Sequence, residues 1–227
     1  KKELQGVHGL IVPGGFGSSG IEGVIQSIKF ARENKIPYFG LCYGMQLMVI
    51  EHARHVLGMA DANTAEINPN AKDVVIDIMP DQKKKLADGN YGGSMRLGAY
   101  PCVLKSGTIA EKAYGTAAVS ERHRHRYEVS PAYVKPISDA GLVFSGTSPD
   151  GTLMEIAELP TSVHPFFLGT QFHPEFQARP LAPHPLFTAF VKAAGGPKRK
   201  ASKVKSTAKT VKVGSKITQK KVKQKVS

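Results

Sequence analysis

Residues 9–57 alternate between two hydrophobic periodicities, and no other feature of the chain constrains its fold as tightly. Gly9–Pro13 is a short apolar run that closes on the turn Gly14-Gly15. Ile21, Val24, Ile25, Ile28 and Ala31 then recur at helical spacing across 21–34, with Lys29, Arg32 and Glu33 elsewhere on the surface. Asn34-Lys35 end that helix, Pro37 blocks its continuation, and Tyr38-Phe39-Gly40-Leu41 resumes a strand that stops at Cys42. From Gly44 to Leu57 a mostly apolar helix follows, halted by Gly58. Strand, helix, strand, helix with short links predicts an α/β fold: a mostly parallel central sheet with helices on both faces.

The middle of the chain predicts an antiparallel extension of that sheet. Val74–Met79, Leu97–Leu104 and Val119–Val129 read as strands, and Leu142–Ser145 with Leu153–Leu159 read as a hairpin around Ser148-Pro149-Asp150-Gly151. Phe166–Phe172 is a last apolar strand running into His173-Pro174-Glu175, and Pro185–Ala194 closes the domain as a short helix. Gly195-Gly196-Pro197 marks a boundary, which predicts one domain over 1–196 and a separate tail over 197–227.

Charge separates the same two regions. The chain carries +13 overall, but 197–227 holds 12 Lys/Arg and no acid, leaving 19 bases against 18 acids in the body. The tail spaces lysine among Ser, Thr, Val and Gln, with too little apolar surface to offset chain entropy, so disorder is expected there. No aromatic residue accompanies its lysines, and a nucleic-acid partner is not expected. No apolar run approaches the roughly 18 residues of a membrane span, and the N-terminus lacks a signal-peptide core. Two cysteines, Cys42 and Cys102, are too few for a disulfide framework, and reduced thiols point to the cytoplasm. With no initiator Met and a strand within ten residues of its start, the sequence reads as a piece of something longer.

Gly40-Leu41-Cys42-Tyr43-Gly44 has the form small–x–nucleophile–x–small between a strand and a helix. Flanking glycines permit the tight turn of a nucleophile elbow. There the helix dipole favours a reactive thiolate, and the N–H of Tyr43 points to where an oxyanion would form. An isolated cysteine at a strand end is otherwise most often a packed residue, and Cys102, without such a turn, reads that way. Pro13-Gly14-Gly15-Phe16-Gly17 reaches the same carboxyl edge of the sheet and offers a second amide, though it also reads as a plain tight turn. It lacks GKS/T, so it is no nucleotide loop. Among eight histidines, His173 ends the last strand two residues before Glu175. In an extended segment both side chains face one way, so the carboxylate can orient the imidazole. Taken alone, HPE also fits a capped strand end. Arg122, Arg124 and Arg126 alternate with His123 and His125, a pattern read as a solvated or interdomain face; no third ligand has spacing that suits a metal.

GLCYGMQ, PGGFG and QFHPEF together resemble the triad-type (class I) glutamine amidotransferases. GFG-x-x-GIEG at 15–23, DANTAE at 61–66, MRLGAY at 95–100 and ERHRHRYEVSP at 121–131 narrow the resemblance to the glutaminase domain of the CTP synthase family, over residues 5–194. The resemblance implies that Cys42 attacks the glutamine side-chain amide, that His173 shuttles protons, and that Glu175 holds its tautomer. It implies oxyanion amides from Gly15 and Tyr43, polar recognition of L-glutamine by Gln46 and Glu66, carboxylate pairing by Arg126 beside Tyr127, and a pocket shaped by Phe16. It implies no cofactor or metal for this domain. ATP, magnesium and UTP belong to an N-terminal synthetase domain that this sequence does not include, and an oligomer is expected only at full length. Two positions depart from the pattern: Ser18-Ser19 stand where a basic residue is usual before Gly20, and Tyr43 replaces the usual Leu. A γ-glutamyl hydrolase using the same Cys–His pair, and a non-catalytic interaction module with a basic arm, are the competing readings.

Overall fold

The computed structural model describes residues 2–78 and 95–196. Met79, the expected end of one strand, and the tail 197–227 lie outside the described residues. Among the described residues no helix is long and apolar enough to cross a membrane.

The alternating first third forms as its pattern dictates. Strand β1 (Leu10–Val12) leads to helix α1 (Ile21–Asn34), strand β2 (Tyr38–Leu41) and helix α2 (Tyr43–His55). Helix α1 buries Ile21, Ile25, Ile28 and Ala31 along one stripe and ends where Lys35 turns left-handed at φ 56°. Each of those isoleucines removes enough apolar surface from water to contribute about 1.5–3 kcal/mol. Helix α2 is apolar nearly all round and is buried from Tyr43 to Ala53, as a helix sandwiched between sheet and neighbouring helices must be.

The remaining elements are β3 (Asn63–Thr64), β4 (Val74–Ile78), β5 (Arg96–Leu104), α3 (Ile109–Tyr114), β6 (Ala118–His125) and β7 (Tyr127–Val129). They continue with α4 (Pro131–Asp139), β8 (Val143–Thr147), β9 (Met154–Glu158), β10 (Phe167–Thr170) and α5 (Pro185–Ala194). A seven-stranded sheet runs in the order β1-β2-β10-β9-β8-β5-β6. Strand β2 pairs in parallel with β1 and with β10, while β10–β9, β9–β8, β8–β5 and β5–β6 are antiparallel. The parallel part is thus three strands at one end, and the antiparallel extension is the larger share.

The sheet separates two apolar cores, because successive strand side chains point to opposite faces. Tyr38, Phe167 and Ala157 join the core under α1, α2 and α4, whereas Phe39, Leu168 and Ile156 join the core under α3 and α5. Helices therefore cover both faces.

Two expected strands differ in their placement. Val74–Ile78 leaves the main sheet and forms a second, three-stranded one in the order β3-β4-β7. The expected strand over 119–129 breaks at Arg126, so β6 pairs with β5 while β7 pairs with β4. One continuous period-2 pattern thus serves two sheets. Helices α3 and α4 are additions to the elements read from the sequence.

Candidate active site

Cys42 sits between β2 and α2 with φ 50° and ψ −99°, a left-handed backbone for a residue with a side chain. Such a conformation costs on the order of 1–3 kcal/mol and persists only where its surroundings fix it. The flanking glycines are the reason the turn closes. A β-carbon on Gly44 would run into the Val12 carbonyl, and one on Gly40 would come within 2.7 Å of the Gly44 carbonyl carbon. The Cys42 N–H donates to the Thr170 carbonyl at 2.6 Å, and the Tyr38 hydroxyl donates to the Gly44 carbonyl at 2.8 Å. The nucleophile elbow expected from GLCYG is therefore present in its backbone, with Cys42 buried at the N-terminus of α2.

His173 follows β10, the strand beside β2, and reaches the same sheet edge. Its Nδ1 lies 2.6 Å from Glu175 Oε1. The route differs from the extended segment expected: Pro174–Phe176 forms a 3-10 turn, and it is this turn that swings Glu175 back under the ring. Phe176 stacks flat on the imidazole, with centroids 4.5 Å apart and 5° between planes. Gly14 lies against the Cε1 edge, where a β-carbon would come within 2.7 Å. The ring is thus fixed by a carboxylate, an aromatic face and a bare backbone. Nε2 is buried and closes no hydrogen bond of ordinary geometry. Burial favours the neutral imidazole, but the Cys42 side chain and Glu175 outweigh it and push His173 up to about 9. The ring therefore holds its proton more tightly than a free imidazole does.

Gln171 belongs to this site as well, and the sequence reading did not single it out. It is fully buried, and its Nε2 donates to Cys42 Sγ at 3.7 Å. Its Oε1 accepts from Gln46 Nε2 at 3.4 Å, and the same Gln46 nitrogen donates to the Tyr127 carbonyl at 3.0 Å. The alternation that pointed from His173 to Glu175 runs back equally to Gln171, so a signal for it exists in TQFHPEF.

The glycine loop stands over the elbow. The Gly17 N–H donates to Glu66 Oε1 at 2.9 Å, and the Tyr43 hydroxyl donates to the Gly17 carbonyl at 2.5 Å. Phe16, at 88% exposure, projects into solvent at the loop's tip. Burial and then the Glu66 carboxylate raise the Tyr43 phenol to about 12. Burial and Glu66 also raise the Tyr127 phenol, while Arg126 opposes them, which brings Glu66, Arg126 and Tyr127 into one electrostatic neighbourhood. Arg126 Nε is buried and without a hydrogen-bond partner.

The RHRHR segment splits by face. Arg122 and Arg124 are exposed, as the charge pattern suggested, but His123 and His125 are buried. His123 Nδ1 meets His125 Nε2 at 2.9 Å, so the two rings face each other. Around them Arg96 donates to Glu155 at 2.7 Å and to Glu128 at 3.5 Å. Among the described residues no group of three His, Cys, Asp or Glu side chains is arranged to hold a metal ion. Cys102, fully buried in β5, has its thiol pushed up to about 12 by burial and by the nearby Glu155 and Glu121. It is the packed thiol that its context predicted.

Comparison with known proteins adds to this geometry. Residues 1–193 match the model of the family described as glutamine amidotransferase class-I. A CTP synthase of Rubrobacter xylanophilus is 53% identical over 208 residues, covering 92% of this chain and 37% of the relative. A CTP synthase of Mycobacterium ulcerans is 56% identical over 192 residues, covering 84% of this chain and 33% of the relative. The chain thus spans about a third of the length of the curated relatives it matches. Among solved structures, the glutaminase domain of Trypanosoma brucei CTPS with bound acivicin superposes with a TM-score of 0.79 at 39% identity, over 88% of this chain and 75% of that one. With the elbow, the histidine–carboxylate pair and these matches together, the chain belongs to the class-I glutamine amidotransferase family, on its CTP synthase branch.

Proposed function

We propose that this chain hydrolyses L-glutamine to glutamate and ammonia through a thioester on Cys42. The observation that carries the reading is geometric: His173, held by Glu175 at 2.6 Å, keeps a buried, partnerless Nε2 at the sheet edge where the strained elbow presents Cys42.

Cys42, as thiolate, attacks the side-chain amide carbon, and the carbonyl electrons move onto oxygen. Backbone N–H groups of Tyr43 and Gly15 receive that oxyanion, a contribution on the order of 3–4 kcal/mol per donor in comparable sites. The proton already on His173 Nε2 passes to the leaving nitrogen, and ammonia departs as the C–N bond breaks. The now neutral imidazole takes a proton from water, which attacks the thioester; collapse releases glutamate and restores thiolate and imidazolium. Glu175 keeps Nδ1 protonated throughout, so Nε2 is always the exchanging atom.

Arg126, whose buried Nε lacks a partner, suits the α-carboxylate of the substrate. Glu66 suits its ammonium group, and Gln46, held by Tyr127 and Gln171, presents its remaining oxygen to the polar end. Tyr127 lines the pocket beside Arg126, and Phe16 shapes it from the glycine loop. No step needs a metal or cofactor. In a longer chain the ammonia would serve a synthetase portion that aminates UTP with ATP and magnesium.

Mass spectrometry after exposure to a diazoketone analogue of glutamine tests the reading, with Cys42→Ser and Cys102→Ser in parallel. Capture lost only in Cys42→Ser supports it. Capture at Cys102, or none in the folded protein, overturns it.

A further inference from the structure

The oxyanion loop is tied down by a side chain of the elbow itself. Tyr43 directly follows the nucleophile and opens α2, so its backbone N–H is one of the two proposed oxyanion donors. Its side chain reaches back across the site, and the hydroxyl donates to the Gly17 carbonyl at 2.5 Å. From the other side of the same residue, the Gly17 N–H donates to Glu66 at 2.9 Å. Gly17 has φ 80°, a left-handed conformation that a glycine holds only loosely without such ties. Two residues earlier, Gly15 lies close against the Tyr43 ring: a β-carbon there would stand 3.4 Å from Cδ1. Gly14 packs on His173 in the same way.

We infer that Tyr43 is a positioning residue whose hydroxyl latches the Gly14–Gly17 loop and holds the Gly15 amide in place for the oxyanion. The inference rests on the triad reading above. The phenol stays protonated through neutral and moderately alkaline pH, because burial and the Glu66 carboxylate both resist its ionisation; the hydroxyl is therefore a donor wherever the enzyme works. Glu66 has a second claim on it. When a substrate ammonium occupies that carboxylate, the Gly17 N–H tie weakens, and the Tyr43 hydroxyl becomes the bond that keeps the loop closed. The latch is internal to this chain, so the loop is assembled without any other domain.

The variant Tyr43→Phe removes only the hydroxyl, and two reactions of Cys42 separate its effects. Alkylation by iodoacetamide is a direct displacement and uses no oxyanion hole, whereas glutamine hydrolysis does. In the full 227-residue chain, kcat for glutamine should fall about tenfold, with KM changed by less than about twofold. That loss lies between the few-fold worth of one neutral hydrogen bond and the 10²–10³ loss of an oxyanion donor. The iodoacetamide rate should stay within about twofold. Tyr43→Leu, apolar but without the hydroxyl, should lose as much and serves if the phenylalanine variant does not fold. Unchanged turnover in both variants, or alkylation falling in step with turnover, overturns the latch. Wild-type chain that is captured by the diazoketone at Cys42 yet turns over no glutamine also overturns it, leaving the triad reading standing. If the diazoketone does not label Cys42 at all, the triad reading itself fails and takes the latch with it.

Discussion

His173 and the pair His123–His125 stand in one fold, each beside carboxylates, yet their charges go opposite ways. His173 is pushed up to about 9, although burial opposes the charge, by Cys42 and Glu175. His123 and His125 are pushed down to about 2 and about 3, first by burial and then by Arg96. Glu155 lies 3.6 Å from His123, but its charge is spent on Arg96 at 2.7 Å. A neighbouring carboxylate therefore does not decide the state of a histidine; the net charge left over in its surroundings does. At the sheet edge a thiol group and a carboxyl group both favour the charged imidazole, with no arginine among the groups that shift it. In the interior one guanidinium holds two carboxylates that burial pushes up to about 7 for Glu155 and about 8 for Glu128. The first arrangement suits proton transfer, and the second suits a fixed wall behind it. The wall is joined to the site through the backbone, since Gln171 N–H donates to the Glu155 carbonyl at 2.8 Å and His173 N–H to the Arg122 carbonyl at 2.9 Å.

Breaking each region separately should give opposite losses. The largest effect is expected from His173→Asn, which should lower glutamine turnover by about 10³-fold or more while leaving the thermal midpoint within a few degrees. A stable fold with turnover reduced less than tenfold would remove His173 from the chemistry. Next, Arg96→Met should cost about 3–5 kcal/mol of stability, because two buried carboxylates lose their cation. Urea titration reads this directly, and a loss under about 1 kcal/mol would mean the interior network is neutral without its arginine.

The smallest effect is on the pH dependence of stability, and its signs oppose one another. His123 and His125, lowered in the fold, add stability that is present above about 6.5 and lost as pH falls toward 3. Glu128 and Glu155, raised in the fold, add stability present below about 4.5 and lost as pH rises toward 8. His173, raised, loses its contribution between about 6.5 and 9. Between about 4.5 and 6.5 the first two terms offset each other, so stability should be flat there, fall on acidification and fall again toward pH 9. Denaturant midpoints across pH check this, and Glu128→Gln should flatten the alkaline limb. A monotonic rise from pH 5 to 9 would contradict the charge assignment of both regions.

How much of this was legible depended on the range of the interactions involved. Helix α1 over 21–34 and helix α5 over 185–194 appear with the bounds read from the sequence, because an apolar stripe and local stop signals or Pro185 act within one turn. Helix α3 carried a readable cap: Thr108 accepts from the Glu111 N–H at 3.2 Å, as Thr-x-x-Glu predicts. Its six residues are too few for a periodic signal. Helix α4 has Ser130-Pro131 at its start, but Pro136 inside it argues against a helix in any local reading. The break at Arg126 left no local trace, since the alternating pattern runs straight through it.

The same division runs through the site. Sequence alone marked the elbow through the glycines flanking Cys42, although the contact that demands Gly44 is with the Val12 carbonyl on β1, and it marked the histidine and carboxylate that a short turn brings together. Only the tertiary structure decided that the basic RHRHR segment buries its histidines. Burial and Arg96 keep them neutral, and Arg96 and its partner Glu155 lie 27 and 32 residues from His123 along the chain and meet it only once β5, β6 and β9 are assembled. It likewise decided that Tyr43 reaches Gly17, a contact between residues 26 apart. A tight turn shows itself in its glycines whatever packs on it; desolvation and charge pairing depend on whatever the fold brings near.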